Sequence, residues 1–345
     1  MDLVYNCDDN YAVHTAVSIT SLFENNIRER SIRVFILGNG ISNASKNKLE
    51  SLGSIYTVIG RLELKKNGSE IPGDYLRSVK VIELEGFEER LKGYFGEGMD
   101  AGKFTVTALA RIFAPGHLPL DVERYIYLDC DTVVLKPLNA LYNAELSGNA
   151  AGMVPEPTIY KEVRDYLGLG EREPYFNTGM MLVDKKLWEA EDVTGKCVSF
   201  YKEKNGRLPF SDQDIINHSL RGRVKVLWQG YDFFSNYHYR SYKSLTSYAP
   251  WYSVCMSKGD YEAARRLPAI VHFAGDERPW YNGNYNPYRG EYEKYLELSP
   301  FKGTEKITGH EKEMRMYHIM NLVTSVCPFI RDRISEVYYR KNYRT

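Results

Sequence analysis

The chain has 345 residues, 43% of them apolar, enough to bury a full core in about two domains or one large domain with an appendage. Lysine plus arginine number 45 and aspartate plus glutamate number 45, so no global field draws the molecule to nucleic acid or a charged membrane, and any basic patch must be local. The five scattered cysteines (Cys7, Cys130, Cys197, Cys255, Cys327) contain no C-x-x-C pair, which excludes a disulfide framework or a zinc site of that type and indicates reduced thiols in a cytoplasm. The chain does not open on a basic region followed by an apolar stretch, and no run approaches the ~20 apolar residues of a spanning helix, so a cytoplasmic location is expected.

In chain order, Leu3 to Asn6 reads as a strand, Ala12 to Asn26 as an amphipathic helix, Arg33 to Leu37 as a strand and Ser42 to Leu52 as a helix capped by Ser42. Ser54 to Ile59 and Val79 to Leu84 read as further strands, and Thr105 to Ala114 as a helix that stops before Pro115. Arg124 to Leu128 is a strand running into Asp129-Cys130-Asp131, after which Thr132 to Leu135 stays extended as far as Pro137. Strands at Ala150 to Val154 and Gly179 to Val183, a long helix from Lys185 towards Lys204, and a helix Ile215 to Leu220 complete the alternation. Strands alternating with helices of this length imply right-handed crossovers and a mostly parallel sheet. The composition changes near Ser299-Pro300, so residues 1–298 are expected to form the main domain and 299–345 a helical appendage that ends basic and aromatic.

The strand ending at Leu128 delivers Asp129 and Asp131 to the carboxyl edge of the sheet, where ligands bind in open α/β folds. Side chains two apart on extended chain face one side, so both carboxylates can hold one hard cation, manganese or magnesium, that bridges a diphosphate. A solvated turn with two acids is the competing reading. Asp8-Asp9-Asn10-Tyr11 follows the first strand and precedes a helix, a position suited equally to capping by Asp9 or Asn10 and to recognition of a base. Asn177-Thr178-Gly179 fits a turn entering a buried strand, and Ser211-x-x-Asp214 fits a capping box, which leaves Asp212 and Gln213 without a capping role. His272 ends an apolar run and reads by itself as a core residue. Gly275 and Arg278 beyond it suit a phosphate, since glycine permits backbone approach and guanidinium pairs bidentately.

Taken in order, C-D-D-N-Y at 7–11, A-L-A-R at 108–111, Y-L-D-C-D at 127–131, F-N-T-G at 176–179, S-D-Q-D at 211–214 and H-F-A-G-D-E-R-P-W at 272–280 resemble the retaining glycosyltransferases of family 8. That group contains glycogenin and the bacterial lipopolysaccharide galactosyl- and glucosyltransferases. The likeness covers about residues 2–285 and implies a GT-A fold, a Rossmann-like, mixed and mostly parallel sheet flanked by helices. It implies UDP-glucose or UDP-galactose as donor, manganese (or magnesium) as cofactor, a saccharide or lipid-linked acceptor, and a role in cell-surface polysaccharide synthesis. By the same likeness Asp129, Asp131 and His272 ligate the metal, while Asp8, Asn10 and Tyr11 hold the uridine. Arg111 and the Asp129-Cys130-Asp131 segment contact the donor. Asn177, Thr178, Asp212 and Gln213 line the sugar pocket, and Gly275 and Arg278 close over the diphosphate. Many relatives carry lysine where Arg278 stands, which keeps the charge and alters its geometry.

Cleavage of the sugar–phosphate bond leaves charge on the diphosphate, which a metal and Arg278 stabilise. Gln213, placed by the motif near the anomeric carbon, is a poor nucleophile because an amide oxygen is weakly basic. Retention is therefore expected by front-face attack, with a donor phosphate oxygen taking the acceptor's proton and Glu156 orienting the acceptor. Two rivals fail: no G-x-G-x-x-G follows the first strand, as a dehydrogenase requires, and Gly98 to Phe104 is one residue short of a phosphate-binding loop. A non-catalytic nucleotide-sugar-binding module is the remaining alternative. From Arg331 to Thr345 basic and tyrosine residues interleave, which suits either peripheral membrane contact through 311–345 or packing on the main domain.

Overall fold

Of the first four strands of the protein, the first, second and fourth are buried on both faces because helices cover both sides, the pattern of a parallel sheet at the centre of an α/β fold, whereas the third, at the sheet edge, alternates buried Arg77, Val79 and Val81 with more exposed residues. The computed structural model describes residues 1–96, 106–275 and 277–342; the segment 98–104, Thr105, Asp276, Tyr343 and Arg344 weighed above lie outside them. Seven strands form the main sheet: β1 (Asp2–Cys7), β2 (Ser31–Gly38), β3 (Leu76–Glu83), β4 (Arg124–Leu128), β6 (Ala151–Pro155), β7 (Phe176–Asp184) and β8 (Val224–Val226). Their order is β3-β2-β1-β4-β7-β6-β8, with β7 antiparallel to both β4 and β6 and the remaining pairs parallel. Along β1, Leu3, Tyr5 and Cys7 join the core on one face and Val4 the core on the other. A smaller sheet, β5 (Thr132–Val134), β10 (Ile270–His272) and β9 (Phe233–Phe234), abuts the carboxyl edge of β4.

Helix α1 (Ala12–Asn25) follows β1, as expected, and α2 (Asn43–Lys66) is capped by the Ser42 hydroxyl, which accepts from the Ser45 amide at 3.2 Å. The strand expected at Ser54 to Ile59 does not exist: that stretch lies inside α2. Leu49, Leu52, Tyr56, Gly60 and Leu64 recur at helical spacing on the buried side, and this outweighs the β-branched run, whose Ile55 and Val58 face outward. The helix expected at 105–114 is a chain of short turns, with 3-10 helix at Val106–Leu109, α-helix at Ala110–Phe113 and 3-10 helix at Ala114–His117, so Pro115 does not end it. The long helix expected from Lys185 breaks into Lys185–Ala190 and Val193–Glu203 because Asp192, at φ +47°, turns the chain and caps the second piece through Gly195 N.

The C-terminal region forms two helices, Glu311–Val326 and Pro328–Asn342, which rest on the body of the protein. Tyr339 stacks on Tyr160 with ring centroids 4.3 Å apart, Arg240 pairs with Asp332 at 2.5 Å, and Asn321 donates to the buried Glu277 carboxylate at 2.8 Å. No helix among the described residues is long and apolar enough to cross a membrane, and the five cysteines form no disulfide.

Candidate active site

Strand β4 ends at Leu128, and the main chain then crosses from the large sheet to β5, carrying Asp129 and Asp131 across the gap between the two sheets. β10 runs antiparallel to β5 with His272 opposite Thr132, so the register of this pair brings an imidazole from far along the chain to the acids. His272 Nε2 lies 3.2 Å from an Asp131 oxygen and 3.8 Å from an Asp129 oxygen. One ligand atom from each of Asp129, Asp131 and His272 lies within 4.8 Å of the others, so the three expected to hold a metal are together. Two hard oxygens and one borderline nitrogen fit a manganese-like divalent ion.

The imidazole is clamped. Its Nδ1 is 2.9 Å from a carboxylate oxygen of buried Asp232, and the Phe234 ring meets it edge-on at a centroid distance of 5.2 Å. Gly179 closes another side, where an added Cβ would lie 2.3 Å from His272 Cε1. Asn177, Thr178 and Gly179 lie within β7 and not in the turn expected before it, and that contact explains the glycine of the F-N-T-G segment. Gly179→Ala is expected to push the ring off the two acids and cost about 1–3 kcal/mol of stability from overpacking; a melting curve checks the cost.

Electrostatics polarise the cluster. Burial alone would raise the Asp131 carboxyl, but hydrogen-bonded His272 and then Arg278 outweigh it and hold the group below the ordinary carboxylate range. For His272 burial works against protonation, and Asp131 and Asp232 on opposite sides overcome it and raise the imidazole above its usual value. The donor atom that would bind a cation is thus one for which protons compete.

Arg111 is the second hub. Its guanidinium, wholly enclosed, pairs with Asp129 at 2.9 Å and Asp212 at 3.0 Å, donates to the Thr178 carbonyl at 2.9 Å and lies over the Tyr127 ring. Tyr127 in turn donates to the same Asp129 oxygen at 2.8 Å. The expected donor-contacting arginine therefore braces two acids from beneath. Cys130, expected with the donor-contacting set, donates its thiol to the Asn6 carbonyl at 2.8 Å and points into the core.

Beside this hub the helix Ser211–Ser219 brings Asp212 and Gln213 to the strand residues Asn177 and Thr178. The Gln213 carbonyl oxygen accepts from Asn177 at 2.8 Å and from the Thr178 amide at 3.3 Å, while its amide group donates to Glu156 and to Tyr175, each at 3.0 Å. The capping box expected here is absent: Ser211 lies inside the helix at φ +38°, and its hydroxyl has no hydrogen-bond partner among the described residues. The Asp214 carboxylate instead accepts from the Phe210 amide at 2.8 Å, so the cap is shifted back by one residue, and Tyr175 donates to the other Asp214 oxygen.

Burial pushes Asp212 up to about 6, against the pull of Arg111, and pushes Asp214 up to about 7. It likewise pushes Glu156 up to about 7, restrained by the donors Asn177 and Gln213. A carboxyl whose value is raised above its ordinary 4.5 binds its proton more tightly in the native state, so stability is full below about pH 4.5 and is lost as pH climbs to about 7. Glu156→Gln is accordingly expected to match the parent near pH 4 and to exceed it at pH 8 by about 3 kcal/mol; urea unfolding at the two pH values checks the sign.

At the mouth of the site, Asp8, not Asp9 or Asn10, caps the turn after β1 by accepting from the Tyr11 amide at 3.1 Å. Asp9 holds Ser42, and Asn10 is exposed. The Tyr11 hydroxyl accepts from Arg278 at 3.0 Å, and the Arg278 Nε–H donates to the Gly275 carbonyl at 3.3 Å, so the two ends of the site meet. Sequence reasoning missed Asp232, Tyr127, Tyr175 and Asp214; the Tyr231-Asp232-Phe233 stretch carries no spacing signal, and only the β9–β10 pairing reveals its neighbour.

The profile of the family described as Glycosyl transferase family 8 matches residues 2–283. General stress protein A of Bacillus subtilis (strain 168) is 27% identical over 299 residues, 86% of this chain and 93% of that protein. Lipopolysaccharide 1,2-glucosyltransferase of Escherichia coli (strain K12) is 23% identical over 360 residues, 99% of this chain and 92% of that one. Among solved structures, the galactosyltransferase LgtC in complex with donor and acceptor sugar analogs superposes with a TM-score of 0.65 at 19% identity, covering 91% of this chain and all of that one, a likeness of fold.

Proposed function

Because the chain belongs to glycosyl transferase family 8 and is a glycosyltransferase of GT-A fold, we propose that it is a retaining, metal-dependent hexosyltransferase moving glucose or galactose from a UDP-sugar to a hydroxyl of a saccharide or lipid-linked acceptor. The observation that carries this reading is the convergence of Asp129, Asp131 and His272 at the sheet edge, beside the buried Asp212 and Gln213. The glucosyl- and galactosyltransferase names of the two sugar-transferring relatives support the choice of hexose.

Asp129, Asp131 and His272 hold a manganese or magnesium ion, which when bound supplies positive charge against the departing nucleoside diphosphate. Arg278 adds a second cation there, aimed by its bond to Tyr11. Asp8, Asn10 and Tyr11 receive the uridine, and the main chain at Gly275 approaches the phosphates. Asn177, Thr178, Asp212 and Gln213 grip the hexose. Both acceptor directions of the Gln213 carbonyl are already engaged by Asn177 and Thr178, which supports a role in orientation over nucleophilic attack. The acceptor oxygen bonds to the anomeric carbon on the face from which the phosphate oxygen leaves, and the acceptor's proton passes to a donor phosphate oxygen. Glu156, 3.0 Å from both Asn177 and Gln213, orients the acceptor. A panel of UDP- and GDP-sugars tests this. UDP release from UDP-glucose or UDP-galactose that requires manganese is expected, and equal release with chelator present contradicts it.

Residues 299–345 are read as an appendage that also touches the inner face of a membrane through 311–345, acting from the cytoplasm. The observation favouring this is the row of outward apolar side chains around the helix–helix bend, Met316, Ile319, Val326, Phe329 and Val337, with Val326 87% exposed, next to Arg331 and Arg333. Val326→Glu with Phe329→Glu in the full chain is expected to reduce binding to phosphatidylglycerol vesicles several-fold while UDP-sugar hydrolysis persists; unchanged vesicle binding contradicts it.

A further inference from the structure

His272 has a carboxylate on each side, and only those at Nε2 belong to the set that can surround a single ion. We propose that Asp232 is a positioning residue for the divalent cation: by accepting the Nδ1 proton of His272 it fixes the tautomer in which Nε2 presents its lone pair to the ion. The inference rests on the metal-dependent reading above and assigns it a third, non-ligating acid.

Neutral imidazole coordinates a metal through the nitrogen that lacks a proton, and the bond made by the other nitrogen decides which that is. Asp232 Oδ1 is 2.9 Å from Nδ1, and Asp131 and Asp129 lie beyond the opposite nitrogen. The carboxylate is deeply set, with 1% of the residue exposed, and its second oxygen has no hydrogen-bond partner among the described residues. A buried carboxylate with an unsatisfied oxygen is costly as scaffolding alone, since an apolar residue or an amide would fill the space at less expense. Its placement is also built. Asp232 follows the turn Gln229–Tyr231, where the Gln229 side chain donates to the Asp232 carbonyl at 3.1 Å and accepts from Tyr252 at 2.6 Å. The next two residues form β9, which pairs in parallel with β10 so that Phe234 stands opposite His272. Backbone pairing thus sets the carboxylate beside the ring, and Gly179 and Phe234 stop the ring from turning away.

Asparagine at 232 keeps the shape but presents either its oxygen or its amide protons, so it no longer selects one tautomer. Manganese binding to the full chain, followed by calorimetric titration, is expected to weaken about 10–100-fold in Asp232→Asn. Pulsed electron paramagnetic resonance at saturating manganese is expected to show nitrogen modulation in the parent and a diminished signal in the variant. Melting in the presence of chelator verifies folding, and Asp232→Ser serves as a second variant if the first is unstable. The cycle with His272→Ala separates positioning from general structure: once the imidazole is gone, Asp232→Asn is expected to change manganese affinity no further. An unchanged affinity and nitrogen signal in Asp232→Asn, or an undiminished loss in the His272→Ala background, overturns the proposal. A parent protein that binds no manganese overturns both this inference and the metal-dependent reading.

Discussion

Asp131→Asn is expected to lower manganese-dependent UDP release by about 10³-fold, the scale of losing a principal stabiliser of developing charge. Asparagine matches the side chain in volume, so packing persists while one of the two proposed anionic ligands is lost. Its carboxyl is held below the ordinary range, so it contributes stability above about pH 4 that is lost as pH falls through its folded value. The variant's modest melting deficit should therefore be present at neutral pH and shrink in acid, while activity is lost at every pH. A coupled UDP-release assay at neutral pH together with melting curves at pH 7 and well below pH 4 checks the separation. Activity falling only in step with stability would mean that Asp131 is structural.

Arg111→Met is expected to have the largest effect on stability, about 3–5 kcal/mol, the range for breaking a buried charge network from one side. Methionine fills much of the volume but leaves Asp129 and Asp212 facing each other without the cation between them, and the Thr178 carbonyl loses its donor. Asp212, which burial already raises to about 6, then loses the cation that restrains it, so the deficit should be largest above about pH 7 and diminish as pH falls. Arg111→Lys should recover only part of the loss, because a point-like ammonium cannot span two carboxylates and a carbonyl with fixed geometry. Urea unfolding at pH 5 and pH 8 measures both magnitude and trend.

What was legible in the sequence follows the range of the interactions. Asp129 and Asp131 could be placed at a sheet edge because the strand before them is local and apolar, and Ser42 could be assigned as a cap because capping acts within three residues. Ser54 to Ile59 misled because β-branched residues favour strands locally, whereas the buried stripe from Leu49 to Leu64 appears only over the full length of α2. Ser211 misled for a related reason: Tyr175 and Phe210 draw Asp214 into a network that shifts the helix start. His272 was ambiguous alone and gained a role through the family likeness, since no local pattern distinguishes a core imidazole from a ligand. Asp232 was invisible because 40 residues and a change of sheet element separate it from its partner, and only the β9–β10 pairing joins them.

The proposed reaction needs one divalent cation held by Asp129, Asp131 and His272 where a nucleoside diphosphate departs. Crystals grown with manganese and UDP, with diffraction recorded at the manganese absorption edge, test it most directly. One strong anomalous peak is expected, in coordination contact with all three side chains and with the diphosphate. UDP bound at the sheet edge with no peak there, or a peak that excludes His272, would contradict it.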